Sequence, residues 1–266
     1  MKVLNDLRFR YTWIAGDTGS ELDINDLEIA FTLNLPNFLH SGQPIHVSPG
    51  FAFHWWQGPS APVSTTTELP KGAFSAYVEF DWRTNPQNQF GVEADVFVGI
   101  YSDFENFNKS LRIHGTGLGW WRLTNNFAIK GGIAYLNRVN VKMLPAAGVF
   151  WQPNELWNLE LYFPSPRVER YLWMLRNTHL WGYWGGEYGG GSWSIQHDSR
   201  DRTNDRIDIN DIRLIAGVKW HRDPNAGVRG FAEIGWVFYR EILFLSNPNL
   251  NLDLDNSIML RGGLTF

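Results

Sequence analysis

The chain closes on Ser257-Ile258-Met259-Leu260-Arg261-Gly262-Gly263-Leu264-Thr265-Phe266. Successive side chains of a strand point to opposite faces. Ile258, Leu260, Gly262, Leu264 and Phe266 therefore share one face, and Ser257, Met259, Arg261, Gly263 and Thr265 the other. The same period of two runs through the rest of the chain. Leu7, Phe9, Tyr11 and Trp13 alternate with Arg8, Arg10 and Thr12. Leu27 to Leu35, Ile45 to Trp55, Phe74 to Trp82 and Val92 to Ile100 repeat the pattern. Such alternation predicts antiparallel strands with one apolar and one polar face.

Later segments are less regular. Leu111–Arg122 starts cleanly and then loses phase among glycines, which predicts a bulge or close packing there. Arg167–Trp173 and His179–Tyr188 read as strands of ambiguous phase. Trp157–Phe163, Ile212–Trp220 and Ala232–Phe238 alternate again.

Composition narrows the class. The 266 residues carry 23 basic and 27 acidic side chains, a net charge of −4, which excludes the basic footprint of a nucleic-acid binder. With no cysteine there is no disulfide framework and no thiolate metal site. The 14 Trp, 18 Phe and 9 Tyr are more aromatic surface than a soluble core needs, and suit rings seated at a membrane interface. No apolar run is long enough for a transmembrane helix. A mean hydropathy of −0.28 is no objection to a membrane barrel, in which every second residue faces the lumen. Met1-Lys2-Val3-Leu4-Asn5-Asp6 lacks the apolar segment of an export signal, so an exported chain is expected to have had its leader removed.

The connectors alternate as well. Thr84–Asn88, Thr124–Asn126, Gln152–Glu155 and Arg222–Gly227 read as tight turns. Gly58–Gly72, Ser102–Ser110, Gly189–Asp205 and Ser246–Asn256 read as longer polar loops. Short turns on one rim and long loops on the other is the pattern of outer-membrane barrels, whose strand number is even. Counting Ser192–His197 as a strand gives an odd number; treating Gly189–Asp205 as one loop restores parity. The expectation is a single domain over residues 1–266, all-β, a closed antiparallel transmembrane β-barrel of about 14 strands, with 12 or 16 as alternatives.

Two stretches add a resemblance. The final strand, ending on Phe266, resembles the closing strand of bacterial outer-membrane β-barrels, although its glycines sit nearer the terminal aromatic than is usual. The central elements Trp151-Gln152-Pro153-Asn154, Phe163-Pro164-Ser165-Pro166-Arg167 and Gly186-Glu187-Tyr188-Gly189-Gly190-Gly191-Ser192-Trp193 resemble, in this order, an uncharacterised family of bacterial outer-membrane β-barrels. The resemblance implies a location in the outer membrane of a Gram-negative-type envelope. It also implies contact with that membrane's lipids, and recognition of the Phe266 strand by barrel-assembly machinery. It supplies no substrate, cofactor or catalytic residue.

If the apolar faces meet lipid, the opposite faces line a lumen. The pore-lining candidates are Arg8, Arg10, Glu79, Asp81, Arg83, Glu93, Asp95, Arg112, Lys130, Glu160, Arg213, Lys219, Glu233 and Arg261. Closure of the last strand on the first brings Arg261 towards Arg8 and Arg10, opposite the acidic quartet Glu79, Asp81, Glu93 and Asp95. A basic wall facing an acidic one would set a transverse field that orients polar solutes. The expected function is porin-like passive diffusion of small polar solutes or ions, with no cofactor and no nucleic-acid partner. A plugged structural barrel, with its charges mutually paired, is one alternative.

An outer-membrane hydrolase is another alternative. Its histidine candidates are His46, His54, His114, His179, His197 and His221, but there is no G-x-S-x-G element and no serine at a telling spacing, so no catalytic residue is assigned. A soluble β-sandwich binding glycans through Trp55, Trp56, Trp120 and Trp121 is a further alternative. Asp198, Asp201, Asp205, Asp208 and Asp211 recur near one polar stretch, and Asp253 and Asp255 flank another, as Ca²⁺-binding loops do. The spacing is not that of an EF-hand, and Arg200, Arg202 and Arg206 interleave the first group, so mutual neutralisation is expected and no metal site is assigned.

Overall fold

The computed structural model describes residues 4–16, 22–59, 69–197, 203–222 and 228–266. The strands in chain order are β1 (Leu4–Ile14), β2 (Asp23–Leu35), β3 (Ile45–Gln57), β4 (Gly72–Arg83), β5 (Phe90–Ser102), β6 (Leu111–Thr124) and β7 (Phe127–Tyr135). There follow β8 (Met143–Asn154), β9 (Trp157–Phe163), β10 (Arg167–Leu175), β11 (Thr178–Gln196), β12 (Asn204–Arg222) and β13 (Arg229–Phe244). The last two are β14 (Leu252–Leu254) and β15 (Ser257–Thr265). Sequential neighbours pair antiparallel from β1 to β13, β13 pairs with β15, and β15 returns to β1. The sheet is a closed barrel of fourteen wall strands. The three-residue β14 is an added rung on the top of β13.

Closure is sealed at the lower rim, where β1 begins and β15 ends. Leu7 and Phe266 exchange two backbone hydrogen bonds, of 3.1 and 3.0 Å, and the Phe266 ring meets Phe9 edge-on at 6.2 Å. Below the upper rim, the closed sheet leaves no unpaired edge.

The alternation sorts the faces as expected. Phe80 and Val96, cross-strand partners, are each 37% exposed on the outside, and Leu214 is 57% exposed. They open outward and do not meet beneath stacked sheets, which removes the sandwich. The tryptophan pairs divide in the same way: Trp55 and Trp121 point out, whereas Trp56 and Trp120 are buried inside, so neither pair forms a sugar-stacking platform. Outward aromatics gather towards the two rims. Phe38 packs on Trp82 and Phe90 stacks on Trp121 at the lower end, while Tyr11 and Trp13 are tied to Asn25 and Asp23 at the upper.

The strand register and connections decide three local expectations. Leu111–Thr124 keeps a regular register against β5 from Ile100↔Leu111 to Phe90↔Trp121. Its phase is continuous: Gly115, Gly117 and Gly119 take outward positions while Leu118 and Trp120 turn inward, which scrambles the polarity pattern; the backbone packs closely at Gly115, where a Cβ would lie 2.1 Å from the Asp95 carbonyl oxygen, and the register shifts only beyond the glycines, between Arg122 and Thr124 against β7. Secondly, Gly189–Asp205 is not one loop. Gly189–Gln196 continues β11 and Asn204–Asp205 begins β12, paired throughout from Thr178↔Arg222 to Gln196↔Asn204. The strand number of fourteen thus arises because Ser192–Gln196 is the top of β11, neither a separate strand nor a loop. Thirdly, the rims are less unequal than the turn pattern suggests. The lower rim includes the β2–β3 connection with its short 3-10 turn at Phe38–His40, and the upper rim includes the three-residue link between β9 and β10. Most of Gly58–Gly72 and of the Arg222–Gly227 turn lies outside the described residues.

The upper end of the barrel is asymmetric. β10 accompanies β11 only as far as Arg167↔Gly185. Above that point β11 has lost its neighbour, and its free edge reaches β5, where Ser194 pairs with Ser102 in parallel. Gly190 takes a φ of +83°, and a Cβ there would lie 1.8 Å from the Ile209 carbonyl oxygen, so the path needs glycine. The tops of β11, β12 and β13 form an arm leaning over the mouth. Beneath it lies an apolar cluster that includes Trp56, Trp193, Ile195, Ile207, Ile209, Ile242 and Phe244.

Candidate functional site

Two cavities of the lumen are lined by the described residues. The upper, of about 530 Å³, is lined among others by Arg10, Asp26, Glu28, His54, Ser75, Tyr77, Arg112, His114, Arg138, Glu187, Trp193, Arg213 and Arg261. The lower, of about 240 Å³, is lined by Glu79, Asp81, Arg83, Glu93, Asp95, Thr116 and Tyr162 among others. Apart from Arg138, which lies on the β7–β8 connection, each of these charges stands at an inward strand position because its apolar neighbours on either side take the outward ones.

Between the cavities runs a rung of paired charges. Arg8 Nη2 donates to Glu79 at 2.5 Å, Arg10 donates to Glu28, and Tyr77 Oη donates to Glu28 at 2.7 Å. Above it, Arg261 forks onto Glu187 and reaches Glu233 through Nε, and Arg213 bonds Asp211 and Glu187. Lys130 holds Glu93 at 2.8 Å and Glu160 at 3.8 Å, and Lys219 holds Glu169 at 2.6 Å. Asp95 accepts from the Thr116 N–H at 2.7 Å. Glu233 also accepts from Tyr183 at 2.6 Å and pairs with Arg167 at 3.3 Å.

The basic-against-acidic field expected across the lumen is therefore short-circuited at its centre. Arg8 meets Glu79 directly, and Arg10 and Arg261 have their own carboxylates. What remains is segregated along the barrel axis. The lower cavity is acidic. The upper places five guanidinium groups against three carboxylates. Two of the five, Arg112 and Arg138, have no carboxylate within 4 Å among the described residues. Arg112 bonds the Lys109 and Leu111 carbonyls and Ser194 Oγ, and Arg138 bonds Gly189 O, Ile209 O and Asn210. Arg112 is 4% exposed and its Nε has no partner.

The sequence alone does not single out Glu28, Glu187, Asp26, Ser75, Tyr77 or Arg138 as site residues. Glu187 and Trp193 belong to the G-E-x-G-G-G-x-W element, which is the β11 segment that turns over the mouth. That element supplies the central lumen carboxylate, the glycine bend and an indole in the upper cavity. The other two central motifs are structural: Asn154 Oδ1 accepts from the Leu156 N–H to form the β8–β9 turn, and Pro164–Pro166 makes the β9–β10 link.

The histidines separate. His46 is bonded to Asn34, His179 and His221 stack at the lower rim with centroids 5.2 Å apart, and His197 faces Asp205 at 3.3 Å. His114 stacks on Phe97 in the upper cavity. His54 is bonded on both nitrogens: Nδ1 to Asp26 Oδ1 at 2.7 Å and Nε2 to Ser75 Oγ at 2.9 Å. Ser75 Oγ in turn accepts from Trp193 Nε1 at 3.2 Å. The register explains the alignment. Asp26 is directly opposite His54 on β2–β3, and Ser75 is opposite Ala52 on β3–β4, one diagonal step from His54. The aspartates that recur along the polar stretch are dispersed: Asp205 accepts from Ser246 and the Arg206 N–H, Asp208 from the Val139 N–H, and Asp211 from Arg213. Asp198 and Asp201 lie outside the described residues.

These features define a closed fourteen-stranded β-barrel with an apolar exterior and a charged, partitioned interior. No protein-family model matches the sequence, and no curated protein matches it. Similar solved structures include the KdgM porin, at 9% identity over 98% of each chain with a TM-score of 0.41. LpxR from Salmonella typhimurium matches at 10% identity over 98% of this chain and 99% of its own, with a TM-score of 0.45. An outer membrane channel from Pseudomonas putida F1 matches at 12% identity over 98% of this chain and 94% of its own, with a TM-score of 0.40.

Proposed function

We propose that this protein is a bacterial outer-membrane β-barrel that admits small polar solutes or ions to its lumen, a porin-like conduit of low conductance. In hydrocarbon every backbone polar group must be paired internally, which a closed sheet achieves. An exterior of Leu27, Ile29, Phe31, Val92, Leu214 and Ile234 suits lipid, and aromatics towards both rims suit its interfaces. The Phe266 strand, sealed against Leu7, is the segment offered to the assembly machinery. The observation that carries the conduit reading is the stack of two charged cavities along the axis, separated by the Arg8–Glu79 and Arg10–Glu28 rung.

Planar-bilayer recording of pure refolded protein tests it, with the shift in gel migration between folded and boiled samples as proof of folding. Small discrete steps are expected. Folded protein that gives no steps removes the conduit. One observation favours a second reading, in which the barrel is closed above and the upper cavity is a binding chamber filled from below: the arm of β11–β13 is bridged to β5 at Ser194–Ser102.

A further inference from the structure

We propose that Ser75, His54 and Asp26 form a nucleophile, general base and orienting carboxylate in the upper cavity, and that they hydrolyse a small anionic ester. The geometry is that of an acyl-transfer triad. Asp26 takes the Nδ1 hydrogen of His54 at 2.7 Å, which fixes the imidazole tautomer with its lone pair on Nε2, and Nε2 faces the Ser75 hydroxyl at 2.9 Å. The three residues come from three adjacent strands of the wall, so the sheet register holds them with no loop involved. All three line the cavity, as does Trp193.

Trp193 Nε1, 3.2 Å from Ser75 Oγ, is a hydrogen-bond donor beside the oxygen that would attack. When Oγ bonds to a carbonyl carbon, the carbonyl oxygen develops negative charge next to that N–H. Trp193 is brought to the site by the arm of β11, and the residue after it, Ser194, accepts from Arg112 at 2.9 Å. Arg112 and Arg138, which line the chamber with no carboxylate within 4 Å among the described residues, favour an anionic substrate. The cavity of about 530 Å³ admits a small acyl ester.

The chemistry balances without a cofactor. Ser75 Oγ bonds to the acyl carbon as its proton passes to His54 Nε2. The carbon–alkoxy bond breaks, and the alcohol leaves with that proton. Water then yields a proton to Nε2 and its oxygen bonds to the acyl carbon. The Ser75 ester bond breaks and Oγ recovers the proton, so that ester and water become acid and alcohol.

The proposal rests on the lumen admitting small solutes, and the test separates the two. Folded protein in detergent is treated with a small fluorophosphonate, whose phosphorus is bonded by the serine oxygen with loss of fluoride, and the adduct is located by peptide mass. A single adduct on Ser75 is expected, absent from Ser75→Ala. Labelling should be slower by on the order of 100-fold in His54→Gln, which keeps a hydrogen-bonding side chain but no base. In parallel, Ser165→Cys, on the same cavity wall in a chain with no other cysteine, reports access through a small thiol reagent. Absence of the Ser75 adduct, or labelling at the native rate in His54→Gln, overturns the triad. If the thiol introduced by Ser165→Cys is modified, the triad falls alone; if it too is unreacted, the admission of solutes to the lumen falls with it.

Discussion

Arg261 grips Glu187 with both terminal nitrogens, Nη1 to Oε1 at 2.8 Å and Nη2 to Oε2 at 3.0 Å. The residues stand on β15 and β11, three strands apart around the wall, so the fork is a strut across the lumen. Glu187 also receives Arg213 at 3.2 Å. Replacing it by Gln leaves two guanidinium groups facing each other with one carboxylate fewer. We expect Glu187→Gln to lower the free energy of barrel unfolding by about 2–3 kcal/mol, read from the urea midpoint by tryptophan fluorescence in vesicles. Arg261→Met in the same background should recover part of the loss, because it removes one of the two guanidinium groups left facing each other.

The outward face makes a separate prediction. Leu214→Arg puts a charge on the apolar exterior of β12, where an arginine at the mid-depth of a bilayer costs about 2–4 kcal/mol. Leu39→Arg, on the 70%-exposed turn between β2 and β3, should change stability by no more than about 0.5 kcal/mol. Refolding equilibria in lipid vesicles compare the two. Equal small effects would mean that β12 does not face lipid.

Neutralising the lower cavity should alter ion preference. Glu79, Asp81, Glu93 and Asp95 together make that chamber acidic, and two of them hold cations, Arg8 on Glu79 and Lys130 on Glu93. Replacement of all four by their amides removes the acids and releases those cations. The reversal potential in a salt gradient should move towards anion preference. An unchanged potential would take the quartet out of any selectivity role.

The arm above the mouth has its own pH dependence. Asp205 lies above the outward apolar run of β12, at the start of the strand. Burial opposes its ionisation, but hydrogen bonds from His197, Ser246 and the Arg206 N–H outweigh burial and hold the carboxyl below its ordinary value. A folded-state value lower than the unfolded one, about 3.9, stabilises the fold above that pH, and the contribution is lost as pH falls through the folded value. Hydrogen exchange of the amides at 204–209 should therefore quicken in acid beyond its intrinsic pH trend. Asp205→Asn should show faster exchange at pH 7 and little further acid effect.

The wall is legible in the sequence because lipid-type exposure on one side and charge on the other impose a period of two on Leu7–Trp13, Leu27–Leu35 and Phe74–Trp82. Alternation fails where both faces of a strand are covered. Ile207, Asp208, Ile209, Asn210 and Asp211 are all buried, and there β12 belongs to the arm, so the segment just before it reads as a loop. Among outward glycines the pattern fades for another reason: at Gly115, Gly117 and Gly119 the outside has no side chain to mark it. The arrangement of Asp26, His54 and Ser75 is hidden by register. His54 and Ser75 are 21 residues apart, mostly through the connection between β3 and β4, and only the pairing of Ala52 with Ser75 brings them together. Charge pairing is partly foreseeable. The inward sets on β1, β4 and β15 stand out, but Glu28 and Glu187, which neutralise Arg10 and Arg261, lie in a stretch that reads chiefly by its apolar residues and in one of uncertain phase.

An even number of wall strands means that the chain enters and leaves the barrel on one side. A reporter fused ahead of Leu4 and an epitope inserted at the β9–β10 link would lie on opposite rims. In cells only one of the two could then be reached by an impermeant antibody, so the pair would report which way up the protein is mounted.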